Sequence, residues 1–267
     1  GTMGFDNFTR KVGYDYYYGM NEYNNKKDYD GNWGIFDEPF LQYCVKQIDT
    51  LTKPFHAAFF TLSSHHPYAM PEEHKNKFSK GTLIVHETVS YTDYALKRFF
   101  NEASKCDWFE NTLFLITSDH SGLTESKDFK TQLGLFKIPM IIYHPKMKSN
   151  IVSTQFVQQI DVYPTIIDML NIENEKIFTF GRSPFSEKEK YYIYYTNGEY
   201  LLMIGNYLSK YKQDGTIELF DVEKDQTLKN NIANQQQEIT KKHIRFTQAF
   251  IQQYNNTIIE NTTTISK

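Results

Sequence analysis

The sequence predicts an α/β fold: a mostly parallel sheet sandwiched by helices, then a small antiparallel sheet and a terminal helix. Three observations predict it. Short apolar runs that do not alternate, HAAFFTL at 56–62, TLFLIT at 112–117 and IPMIIY at 138–143, read as strands buried on both faces. Segments with helical periodicity fall between them, which is the pattern of a helix-covered sheet. From residue 190 the pattern changes to alternation with tight-turn signals, which predicts hairpins.

The first forty residues are rich in Tyr, Asn, Asp and Gly and read as loops and short elements. Residues 40–51 read as a helix with Phe40, Leu41, Cys44, Val45 and Ile48 on one side, ended by Pro54. Residues 63–71 (SSHHPYAMP) form a loop at the end of the first apolar run. A long helix is predicted over 83–103, with Val85, Val89, Leu96 and Phe99 on its buried side. Asp161 is placed to cap a helix reaching Leu170. Residues 191–204 carry the hairpin signal Asn197-Gly198, and 207–220 carry a second turn at Asp214-Gly215. Residues 237–254 read as a helix, with a frayed Asn- and Thr-rich tail behind it. These elements suggest a domain over 1–186 and a smaller subdomain over 187–267.

The bulk numbers exclude several function classes. There are 29 basic and 32 acidic residues in 267, a net charge of −3, so no basic surface for nucleic acid is indicated. Aromatic residues make up 16%, enough to fill a core. Two cysteines, Cys44 and Cys106, allow one disulfide but form no CxxC pair. No run is long enough to span a membrane. The chain opens on Gly1 and not Met, so it is expected to be a segment of a longer protein. No P-loop, GxGxxG or GxSxG is present.

Two loops could carry chemistry. Asp119 and His120 follow a predicted strand directly, where open sheets place ligands, and a carboxylate with an imidazole can share a divalent cation. His65 and His66 follow another such run. Imidazole can hold an anion, ligate a metal or move a proton. Neighbouring residues in extended chain point apart, so one of the pair is expected to be structural. Trp33, in the stretch Trp33-Gly34-Ile35-Phe36-Asp37, either lines a site or anchors its loop.

In order, these pieces resemble the alkaline phosphatase/sulfatase superfamily, on the branch of lipoteichoic acid synthases and phosphoglycerol transferases. FFTLSSHHPY at 59–68 resembles the family's strand and S-N-H-x-P-Y loop. HETVSYTDYALKRFF at 86–100 resembles the helix that follows, and ITSDHSGLTE at 116–125 its GDH-x-G metal motif. KIPMIIYHP at 137–145, QIDVYPTIIDMLNI at 159–172, GRSPF at 181–185 and IELFDVEKDQTLKNNIA at 217–233 resemble further signatures.

The resemblance implies that Asp119 and His120 are metal ligands, for Mn, Mg or Zn with Mn favoured. It implies that His65, the catalytic residue of this segment, contacts the substrate's phosphoryl or glycerol phosphate group, and binds the head group or protonates the leaving alkoxide. His66 and Trp33 are expected to line the substrate site with it. The family nucleophile, a Thr or Ser, is expected upstream of this segment, which should be inactive alone. The expected substrate is a phospholipid head group or another anionic ester. The expected setting is the outer face of a bacterial membrane, with the parent protein anchored by upstream helices. Two alternatives stand: a sulfatase acting on sulfate esters, although its Cys-x-Pro-x-Arg pattern is absent, and a non-catalytic domain that kept the fold.

Overall fold

The computed structural model describes residues 2–148, 152–153, 155–173 and 178–262. They divide into two compact units, 1–125 with 138–149, and 126–137 with 150–267. No helix among the described residues is long and apolar enough to cross a membrane.

The first unit is built on two helices in contact, α3 (Asp37–Ile48) and α4 (Val85–Ala103). Two short helices precede them, α1 (Phe5–Lys11) and α2 (Met20–Tyr23). Leu41, Val45 and Ile48 recur every three to four residues and so share one stripe of α3. That stripe packs on Ala95, Phe99 and Ala103 of α4, with Trp108 and Phe109 closing the cluster. The buried side of α4 is Thr88, Tyr91, Ala95, Phe99 and Ala103. It is not the predicted stripe, for Val89 is half exposed. Tyr91 takes the seam because its ring is buried while its hydroxyl accepts the Glu38 N–H at 3.2 Å.

Strands β1 (Phe114–Thr117) and β2 (Met140–Tyr143) pair antiparallel, Phe114 opposite Tyr143 and Thr117 opposite Met140. The α/β class holds, but the predicted parallel pairing does not. Parallel neighbours need a crossover, usually a helix. The connection here carries only the 3-10 turns Asp128–Lys130 and Gly134–Phe136. Residues 56–62 also depart from the expected buried strand. They are irregular in hydrogen bonding, and Phe59 and Phe60 are 40% and 50% exposed.

The second unit carries α5 (Val162–Met169), a four-stranded antiparallel meander and α6 (Gln237–Ile259). The meander runs in order β3 (Tyr191–Thr196), β4 (Glu199–Ile204), β5 (Tyr207–Lys212) and β6 (Ile217–Asp221). Asn197 and Gly198 both have positive φ, 51° and 81°, as the tight turn between β3 and β4 requires. β4 is buried on both faces: Leu201 and Met203 join Leu208, Phe220 and Phe136, while Leu202 shares a face with Ser209 and Leu219. α6 contacts the sheet through β4, β5 and β6. It continues to Ile259, past the predicted end, and residues 263–267 lie outside the described set.

Segment 155–173 clusters with this sheet through side chains that replace ladder partners. The Gln158 amide donates to the Tyr191 carbonyl and accepts from the Ile193 N–H, each at 2.8 Å. Asp161 sits at the α5 start without capping it. Its carboxylate accepts from the Gln158 and Arg182 N–H groups, at 2.8 and 2.7 Å, and burial pushes its pKa up. Cys44 and Cys106 are both free thiols, and burial pushes Cys44 up to about 12.

Candidate functional site

Two loops of the first unit carry the candidate residues, and α4 supplies a common reference for both. Along residues 55–63, Phe55 stacks edge-on to Trp108, Phe59 packs on Phe99, and Ser63 reaches the start of α3. Along β1 and its continuation, Phe114 packs on Phe99, Phe100 and Phe109, and Glu125 accepts from the Thr82 hydroxyl at 2.6 Å. Both segments therefore start beside the C-terminal end of α4 and run toward its N-terminal end. The two loops that follow them emerge at that same end.

The first loop brings Trp33, His65 and His66 together. The Trp33 turn is organised by Asp30, whose Oδ1 accepts the N–H groups of Asn32, Trp33 and Gly34 at 2.8, 2.8 and 3.0 Å. An Asp at the start of a turn does this because its short carboxylate reaches the backbone two to four residues ahead. Gly34 lies so close to Leu62 that a Cβ there would stand 2.7 Å from the leucine Cδ1. The Trp33 ring meets the His65 ring edge-on, centroids 4.4 Å apart.

The His66 carbonyl oxygen accepts twice, from Trp33 Nε1–H at 2.7 Å and from His65 Nδ1 at 2.7 Å. A carbonyl has no proton to give, so His65 Nδ1 must carry the hydrogen. That fixes the tautomer and leaves Nε2 as the atom able to take a proton or hold an anion once protonated. His65 and His66 are both exposed. The His66 ring meets the Tyr68 ring edge-on, centroids 5.8 Å apart.

The second loop carries Asp119 and His120, both exposed. Asp119 Oδ1 accepts the His120 N–H at 2.8 Å, and His120 Nδ1 lies 2.7 Å from the Ser121 carbonyl. By the same logic Nδ1 holds the hydrogen and Nε2 presents its lone pair. That lone pair sits 3.4 Å from Asp119 Oδ2. An imidazole nitrogen and a carboxylate oxygen at this separation suit two neighbouring positions on one cation, each about 2.0–2.2 Å from it. The donor set fits a divalent metal. Among the described residues, however, no third His, Cys, Asp or Glu completes a group of three. The Thr117 hydroxyl ties the end of β1 to the Pro139 carbonyl at 2.9 Å, which steadies the base of this loop.

Sequence reasoning missed Asp37. It is 1% exposed and lies beneath the His65 loop, bonded to Leu62, Ser63 and Thr92. Its partners are 25 to 55 positions away, so no local spacing signals the contact.

The chain as a whole is similar to known proteins. A sulfatase family model matches residues 2–172. The chain belongs to the sulfatase family. Among curated relatives, it is 27% identical over 213 residues to lipoteichoic acid synthase 1 of Bacillus subtilis, covering 73% of this chain and 33% of that protein. It is 24% identical to lipoteichoic acid synthase of Staphylococcus aureus, with the same coverage. The chain thus spans about a third of the length of these relatives. Among solved structures, a protein in the alkaline phosphatase superfamily from Vibrio parahaemolyticus superposes with a TM-score of 0.70 at 21% identity, over 85% of this chain and 57% of that one. Phosphonate monoester hydrolase of Agrobacterium radiobacter superposes with a TM-score of 0.53 at 12% identity, over 81% and 60%. At these identities the structures establish the sulfatase-like fold alone.

Proposed function

We propose that this chain is the part of a sulfatase-family phosphoryl-group transferase or phosphodiesterase that binds the head group and supplies two metal ligands. The reading is phosphoglycerol transfer from a phosphatidylglycerol-like lipid at the outer face of a bacterial membrane, by a parent protein anchored there. The relatives named lipoteichoic acid synthase support that substrate class. The observation that carries the reading is the Trp33–His65 pair, in which a fixed tautomer aims a basic nitrogen out of an aromatic-backed loop.

In this reading His65 Nε2, once protonated, binds a phosphoryl oxygen and can return its proton to the leaving alkoxide of the lipid. Trp33 backs the imidazole and limits water on one side of it. The His66 carbonyl keeps the ring from turning. Asp119 and His120 would hold a divalent ion, Mn, Mg or Zn with Mn favoured, their mixed oxygen and nitrogen donors suiting all three. The ion's chemistry, when bound, is to acidify a hydroxyl nucleophile and offset phosphate charge.

The test is a titration of the isotopically labelled full chain, followed at the Trp33 indole and His65 ring signals. Glycerol 1-phosphate should move both signals, and a sulfate monoester of a sugar should move them less. A response to the sulfate ester alone replaces the reading with sulfate ester hydrolysis. No response to either at millimolar concentration leaves a non-catalytic domain as the better reading.

A further inference from the structure

We propose that Asp37 is a positioning residue that sets the His65 imidazole against Trp33, an inference that rests on the head-group reading above. Asp37 opens α3 and is almost fully buried, 1% exposed. A carboxylate is costly to bury unless donors meet it. Here Oδ1 accepts the Leu62 and Ser63 N–H groups at 2.8 and 3.0 Å, and Oδ2 accepts the Thr92 hydroxyl at 2.6 Å. The Ser63 hydroxyl accepts the Asp37 N–H in return, at 3.0 Å. Among the described residues no lysine or arginine pairs with it. The positive end of α3 and these donors are what balance the charge.

The bonds continue into the loop. The Leu62 N–H is held by Asp37, and the Leu62 carbonyl accepts the His65 N–H at 3.0 Å. The His65 ring then donates to the His66 carbonyl, which Trp33 also holds. Trp33 lies four residues before Asp37 on the same stretch of chain. The circuit therefore closes: Asp37 fixes where His65 leaves the preceding segment and where the tryptophan turn enters α3. Thr92 anchors the circuit to α4. Asp37 itself is too deep to meet a substrate, so it acts through His65.

The chain has two tryptophans, Trp33 and Trp108, and so two indole N–H signals in a nitrogen-15 spectrum. Trp108 is buried in the helix core away from this loop and reports whether the unit is folded. Asp37→Ala should move the Trp33 signal and leave that of Trp108. It should weaken glycerol 1-phosphate binding about tenfold or more, in line with losing a buried hydrogen-bonded group. Asp37→Asn should restore both properties, since its carbonyl can accept from Leu62 and Ser63 while Thr92 turns to accept from the amide. Asp37→Ala with an unmoved Trp33 signal and unchanged affinity overturns the proposal. So does Asp37→Asn behaving as Asp37→Ala, because the charge and not the placement would then matter. If Asp37→Ala loses the Trp108 signal too, Thr92→Val decides: a partial shift of Trp33 supports positioning, and no shift overturns it. If the wild-type chain ignores glycerol 1-phosphate while Asp37→Ala still moves Trp33, the head-group reading fails and the positioning role stands.

Discussion

The indole N–H of Trp33 donates to the carbonyl oxygen of His66 at 2.7 Å, across 33 positions of sequence. The same oxygen holds His65 Nδ1, so one carbonyl orients both rings of the candidate site. This separates two contributions that a single substitution usually mixes: the apolar backing of the ring and the polar link that aims it.

Trp33→Phe removes the polar link and keeps an aromatic face. A neutral hydrogen bond is worth about 1 kcal/mol net, which corresponds to about fivefold in affinity. Glycerol 1-phosphate should bind Trp33→Phe about fivefold more weakly by chemical-shift titration. Thermal stability should change little, because the bond lies at an exposed loop. Trp33→Ala should lose more affinity than Trp33→Phe. Equal affinity for Trp33→Phe and the wild-type chain would mean that the carbonyl link does not organise the loop.

The second loop makes a separate prediction. Asp119 Oδ2 and His120 Nε2 are 3.4 Å apart, with the imidazole proton held on the other nitrogen by Ser121. Manganese added to the chain should broaden the His120 ring signals before those of His65, and EDTA should restore them. Asp119→Asn should weaken this effect by more than about tenfold, the lower limit set by the loss of even supporting groups at metal sites. Broadening that persists in Asp119→Asn and His120→Ala would place the ion elsewhere.

Much of the framework was legible in the sequence because it is written in local periodicity. The Leu41, Cys44, Val45, Ile48 stripe and the Asn197-Gly198 turn each need only a few neighbouring residues to specify them. The sheet was not legible to the same degree. Apolar runs at 112–117 and 138–143 announce strands, but nothing in them encodes direction, and β1 and β2 pair antiparallel. The run at 56–62 has a strand's composition, yet a ladder needs a neighbour that composition cannot supply. Asp161 reads as a helix cap by position and instead bonds Gln158 and Arg182. For the candidate site, the histidine and aspartate loops were visible as motifs at the ends of apolar runs. The support beneath them, Asp37 with Leu62, Ser63 and Thr92, is a long-range assembly with no sequence period.

His243 carries the prediction for pH. It lies on α6, 1% exposed, with Nδ1 2.9 Å from the Ser209 hydroxyl of β5. That hydroxyl points its own hydrogen toward the Leu202 carbonyl, at 3.4 Å, so His243 is the donor of the pair. Burial, aided by the Lys242 charge and opposed by Glu189, lowers its pKa from 6.5 to about 4. Below pH 6.5 the unfolded chain takes up a proton that the folded chain refuses, so stability falls with pH across the interval down to about 4. The contribution is complete above 6.5, and by pH 5 the loss should reach about 2 kcal/mol. His243→Gln cannot titrate and keeps a donor for Ser209. Its stability at pH 7 should be lower, but its decline between pH 7 and pH 5 should be shallower than the wild type's by about that amount. Denaturant unfolding of both chains at the two pH values measures the difference. Parallel declines would show that the α6–β5 contact does not exclude the proton.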